Sequence, residues 1–101
     1  MNKEDLKKMV KLASRYRDKD TPPMKPRKEF REFVVGRINS FSVEDMSKFI
    51  SSIHIEDMKL DDKFCKAIYP ITQNFPGEEL PFLYEHKLKW FNQMCREDIG
   101  L

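Results

Sequence analysis

Phe41-Ser42-Val43-Glu44-Asp45-Met46 decides the fold class. The Ser42 hydroxyl can accept the Asp45 amide while the Asp45 carboxylate reaches back to the Ser42 amide, an aspartate version of the capping box, and Phe41 and Met46 form the flanking hydrophobic staple. A helix starts here, with Met46, Phe49, Ile50 and Ile53 on its buried face and an end near His54 or Ile55. Upstream, Phe30, Phe33, Val34, Arg37/Ile38 and Phe41 repeat at helical spacing after Pro26, which suits a first turn. Gly36 falls inside that run, where a glycine costs about 1 kcal/mol against alanine, and it reads as a point of close approach by another helix. Thr21-Pro22-Pro23-Met24-Lys25-Pro26 is a stiff connector, because proline lacks the amide donor and drives its predecessor toward extended geometry. Before it, Leu6, Met9, Val10, Ala13 and Tyr16 mark a helix over about residues 3–18, capped by Asn2 with Glu4 and Asp5 in its first turn.

Downstream, Asp61 caps a shorter helix with Phe64, Cys65 and Ile68 inward, which Pro70 stops after Tyr69. Phe75-Pro76-Gly77-Glu78 carries proline and glycine at the central positions of a type II turn. From Pro81 to about Asp98 the apolar face reads Leu80, Leu83/Tyr84, Lys87/Leu88, Trp90/Phe91 and Met94/Cys95, with Gly100 as the stop. No strand-like alternation of convincing length occurs. The expected class is all-α, with about five helices in one small domain over residues 1–101: a hairpin over 3–41, a second over 42–70, and a C-terminal helix over 81–98.

A chain of 101 residues fits one core, and its twelve aromatic and six methionine residues supply the bulk for it. No apolar run reaches the ~18 residues that a membrane-spanning helix needs, and the N-terminus lacks the apolar stretch of a signal peptide. An intracellular, by default cytoplasmic, protein that does not enter a membrane is expected. Cys65 and Cys95, with no Cys-x-x-Cys pairing, suit buried reduced thiols.

Glu4-Asp5-Leu6-Lys7-Lys8-Met9-Val10 and Glu44-Asp45-Met46-Ser47-Lys48-Phe49-Ile50 share one pattern forty residues apart. Each opens a helix followed by a connector and a second apolar run, Phe30-x-x-Phe33-Val34 or Phe64-x-x-Ala67-Ile68. Two related hairpins and a capping helix account for the spacing. Acidic helix starts and three-four apolar spacing in unrelated helices account for part of it as well. Phe41-Ser42-x-x-Asp45-Met46-x-x-Phe49-Ile50-x-Ser52-Ile53, followed by Asp61-Asp62-x-Phe64-Cys65-x-Ala67-Ile68, resembles one unit of the helical-hairpin repeats in FAST-kinase-like and heptatricopeptide proteins. The resemblance covers residues 41–70 and implies RNA binding in an organelle, or a place in a mitochondrial ribosome. Those families use long arrays, whereas this chain has room for two units.

Signatures of catalysis or metal binding are lacking in the sequence. His54 and His86 have no partner at metal-ligand spacing; His54 suits a helix C-terminus and His86 a helix surface. Asp61-Asp62 and Glu78-Glu79 fall where capping and solvation explain them. Three glycines in separate contexts build no phosphate loop. The expectation is a non-enzymatic protein without cofactor or metal.

Charge is what remains. Residues 1–41 carry twelve Lys/Arg against six Asp/Glu, and residues 42–101 carry seven against eleven, a split hidden by the net +2. Lys3, Lys7, Lys11 and Arg15 recur every four residues along one side of the first helix, with Lys8 beside them. Like charges at that spacing repel by about 0.2 to 0.5 kcal/mol per pair, which an anionic partner would recover. Arg17, Arg27, Lys28 and Arg31 extend the basic character through the connector into the second helix. A solvated face partly neutralised by Glu4, Asp5, Glu29 and Glu32 is the competing account. Base-stacking aromatics are thin there, Tyr16 being the one local candidate. Two functions follow: a small helical interaction protein (adaptor, assembly factor or inhibitor, as phages encode) that docks on a protein partner, or an RNA- or DNA-binding module using this stripe. The sequence leaves the oligomeric state open.

Overall fold

The computed structural model describes residues 1–16, 24–53 and 62–100, with the backbone alone for residues 16 and 24–27. Five α-helices carry it: α1 Lys3–Tyr16, α2 Met24–Val35, α3 Val43–Ser52, α4 Asp62–Thr72 and α5 Phe82–Asp98, with 3-10 turns at Ile38–Ser40 and Gly77–Glu79. No strand occurs among the described residues, and the all-α class holds. Residues 17–23 of the proline connector, His54 and the Asp61 cap lie outside the described residues.

Two compact units divide the chain, Met1–Ile53 and His54–Leu101. That boundary cuts through the hairpin expected over 42–70. Helix α3 belongs with α1 and α2, its Phe49 ring stacking on Phe30 of α2 at 6.0 Å and meeting Phe41 edge-on at 6.1 Å. Aromatic pairs at these separations add to what their burial alone contributes.

Helix α1 forms where the sequence places it. Asn2 Oδ1 accepts the Asp5 amide at 2.8 Å, and the Asn2 carbonyl accepts Leu6 at 3.0 Å. Since α1 packs on both α2 and α3, its buried sector centres on Met9 and takes in Leu12 and Ala13, leaving Val10 exposed. The expected face had Val10 inside and omitted Leu12.

The Ser42 capping box is complete: the Asp45 amide donates to Ser42 Oγ at 3.1 Å and the Ser42 amide to Asp45 Oδ2 at 3.0 Å. The same Oδ2 meets the Met1 ammonium at 2.6 Å in a part-buried contact. One carboxylate therefore caps α3 and holds the chain entering α1 against it.

Helix α2 begins two residues before Pro26, which sits in the first turn, where its missing N–H has no intrahelical acceptor to lose. It ends at Val35, not at Phe41. Gly36 marks this break instead of admitting a neighbouring helix: its amide bonds the Glu32 carbonyl at 3.1 Å, and a methyl group on it would meet Glu32 and Phe33 carbonyl oxygens of the preceding turn.

In the second unit, α4 packs on α5 with Phe64, Cys65, Ile68, Tyr69 and Thr72 buried. Pro70 does not stop α4 after Tyr69. It forfeits one donor in the last turn, while Gln73 still bonds the Tyr69 carbonyl at 2.9 Å and Asn74 Nδ2 takes the Pro70 carbonyl at 2.9 Å. Nor does Pro76-Gly77 make a type II turn, which needs positive φ at the glycine. Among the described residues only Gly100 has positive φ, at 78°. Gly77–Glu79 forms the 3-10 turn, closed by the Leu80 amide on the Gly77 carbonyl at 3.0 Å, and Leu80 is buried at its end. Gly100 closes α5 as expected, its amide bonding the Glu97 carbonyl at 3.3 Å.

Candidate interaction surfaces

Helix α1 turns its basic residues to solvent because its apolar sector is claimed by two neighbours. Lys3, Lys7, Lys8, Lys11 and Arg15 are all exposed. Their environments separate them into two groups. Arg15 bonds Glu29 of α2 at 3.4 Å, and the Lys8 ammonium stands 5.4 Å from the Phe33 ring. Arg37 completes this seam, its guanidinium 3.8 Å above the same ring and 3.6 Å from Asp5. Cation–ring contacts of this kind contribute about 0.5 to 1 kcal/mol at exposed sites. Lys8 and Arg15 thus help to close α1 on α2.

Lys3, Lys7 and Lys11 point elsewhere and form no ion pair among the described residues. On α2, Lys28 is exposed and Arg31 half-buried. Arg17 and the Arg27 side chain lie outside the described residues. No described aromatic of the first unit is available for stacking: Phe30 and Phe33 are buried and Phe41 is half-buried.

A second surface lies on α5. Phe82 and Leu83 are each 74 % exposed and Trp90 47 % exposed, all on α5. The expected core face offers Leu83 as an alternative to Tyr84 and Trp90 as an alternative to Phe91, and leaves Phe82 out. The buried face is half-buried Tyr84 with Leu88, Phe91 and Cys95, one member from each ambiguous pair. Phe82 stacks on His86 with ring centroids 5.3 Å apart and planes 22° from parallel. Phe82, His86 and Trp90 follow at intervals of four, with Leu83 alongside. His86 is on a helix surface, as expected.

Between α4 and α5 lies an open groove of about 390 Å³ lined by Tyr69, Gln73, Lys89, Asn92, Gln93 and Arg96. Asn92 Nδ2 donates to the Thr72 carbonyl at 3.2 Å, and Lys89 bonds Glu85 at 3.2 Å. The two cysteines are buried and reduced. Cys65 Sγ donates to Asp98 Oδ2 at 3.7 Å. Burial pushes the Cys95 thiol far above its ordinary pKa, assisted by its hydrogen bond to Cys65 and by the charges of Cys65 and Asp98. A thiol held protonated in this way is a poor nucleophile.

Comparison with known protein families, curated proteins and solved structures finds no match for this chain.

Proposed function

We propose that this protein works without catalysis, docking a preformed helical surface onto an anionic protein partner through the outward lysines of α1. The observation that carries the reading is the position of Lys3, Lys7 and Lys11, exposed along one side of a helix and unpaired among the described residues, while Lys8 and Arg15 are engaged with α2. Three ammonium groups at four-residue spacing repel one another by about 0.2 to 0.5 kcal/mol per pair, and an acidic partner surface removes that penalty. Adaptor, assembly factor and inhibitor are the roles that this mode of action serves.

A nucleic-acid partner is the second reading, favoured by the same lysines and by Lys28. The lack of an exposed aromatic among the described residues of the first unit weighs against single-strand stacking and leaves phosphate contact as its basis.

One experiment separates them. The wild-type chain and a Lys3→Glu/Lys7→Glu/Lys11→Glu variant are used to capture partners from host lysate with and without nuclease treatment. A protein retained after nuclease treatment and lost with the triple variant supports the first reading. Recovery of nucleic acid alone, with affinity falling at a log-log slope of about −0.7 to −0.9 per phosphate contact, supports the second. Retention unchanged by the triple variant overturns both.

A further inference from the structure

Cys65 of α4 and Cys95 of α5 are both fully buried, and their thiols are hydrogen-bonded to each other. The bond from Cys65 Sγ to Asp98 Oδ2 at 3.7 Å places them together independently. Asp98 stands three residues after Cys95, about one turn along α5, so a Cys65 side chain that reaches it lies over the turn that carries Cys95. Filling the core accounts for the burial of each thiol, because free cysteine behaves as a small apolar residue. It does not call for the two to meet across the packed helices. We propose that Cys65 and Cys95 are a redox pair, joined into a disulfide that latches α4 to α5 when a small disulfide oxidant such as oxidised glutathione is in excess.

The exchange balances with that oxidant alone. One cysteine, as its thiolate, attacks a glutathione sulfur, forms a mixed disulfide and releases the first glutathione thiolate. The other cysteine then attacks the protein sulfur of the mixed disulfide and releases the second. Two protons and two electrons leave the protein, and the oxidant becomes two thiols. Burial sets the kinetics. The Cys95 thiol is held protonated in the folded unit, by burial first and by Cys65 and Asp98 after it. The first attack therefore belongs to the opened unit, where a thiol regains its ordinary pKa of about 8.5, and closing brings the pair together for the second. The new bond closes a loop of thirty residues and makes further opening rarer. The cover that kept the oxidant out then keeps reductant out, so the latch is slow to set and slow to release.

The test uses the full wild-type chain, brought to equilibrium at about pH 8 in mixtures of oxidised and reduced glutathione, once in native buffer and once in denaturing urea. Products are read by intact mass and by peptide mapping without reduction. The expected native product is a monomer lighter by two hydrogen atoms, with the Cys65 and Cys95 peptides joined, and excess dithiothreitol returns it to the starting mass. Any flexible chain closes such a loop to some extent, so the equilibrium constant decides. By linkage, a bond that stabilises the fold is itself favoured by the fold, and the constant for the internal disulfide is expected to be roughly 100-fold larger in native buffer than in urea. A native constant equal to or below the one in urea overturns the proposal. Glutathione adducts or cross-linked dimers in place of the internal bond at equilibrium in native buffer overturn it as well.

Discussion

The Met1 ammonium lies 2.6 Å from Asp45 Oδ2, the oxygen that also caps α3 through the Ser42 amide. The Asp45 side chain is only 3 % exposed, and its contact with the ammonium is part-buried. A buried charge that loses its partner is costly, so the pair acts less as a source of stability than as a constraint on where α1 and α3 meet. Asp45→Ala removes the cap and strands the ammonium. An expected loss of about 3 kcal/mol in chemical denaturation contrasts with about 1 kcal/mol for Ser42→Ala, which deletes the Ser42 side-chain cap alone.

Trp90 and Phe91 adjoin in sequence and differ in environment. Phe91 is fully buried and Trp90 is 47 % exposed. Phe91→Ala is expected to cost about 3 to 4 kcal/mol through lost burial and the cavity left behind. Trp90→Ala, at a position that keeps half its surface in water, is expected to cost less than about 1 kcal/mol. Equal losses in urea titration would contradict the assignment of the α5 face.

Phe30 and Phe49, stacked at 6.0 Å, join α2 to α3. Each alanine substitution is expected to destabilise by about 3 to 5 kcal/mol. The double variant should lose less than the sum of the singles by about 0.5 to 1.5 kcal/mol, the coupling of an aromatic pair, and a double-mutant cycle on unfolding free energies measures it.

The Cys95 thiol has a folded pKa raised by burial first and by Cys65 and Asp98 after it. Its contribution to stability is therefore fully present below the pKa of about 8.5 that a free thiol has in the unfolded chain, and it is lost as pH rises above that value. Between pH 8 and 10 the unfolding free energy of the wild type should fall more steeply than that of Cys95→Ala. A thiol reagent at pH 8 is expected to label Cys65 and Cys95 at a rate set by opening of the second unit, and to label both at once in denaturant.

Local signals were legible in the sequence, and the choice between adjacent apolar residues was not. Ser42 with Asp45, Asn2 ahead of Asp5, and Gly100 after α5 each satisfy backbone groups within a few residues, so their partners can be read along the chain. Pro70 and Gly77 carry local rules that tertiary contacts overrode: burial of Tyr69 and Thr72 carries α4 past the proline, and burial of Leu80 favours a 3-10 turn. The assignment of α3 depended on which helix Phe49 would meet, and spacing along one helix does not contain that information. Of the basic residues, the four-residue recurrence found the exposed row on α1. It could not show that Arg15 would be taken up by Glu29 or Lys8 drawn toward Phe33, because both depend on how α1 meets α2.

Trp90 is the only tryptophan of the chain, and it belongs to the second unit. Its emission therefore reports on residues 54–101, while far-UV ellipticity sums over all five helices. Denaturation followed by the two signals on one sample yields superimposable curves if the units melt as a single cooperative block and displaced midpoints if they melt separately. The chain thus carries a built-in optical probe of how its two halves share their stability.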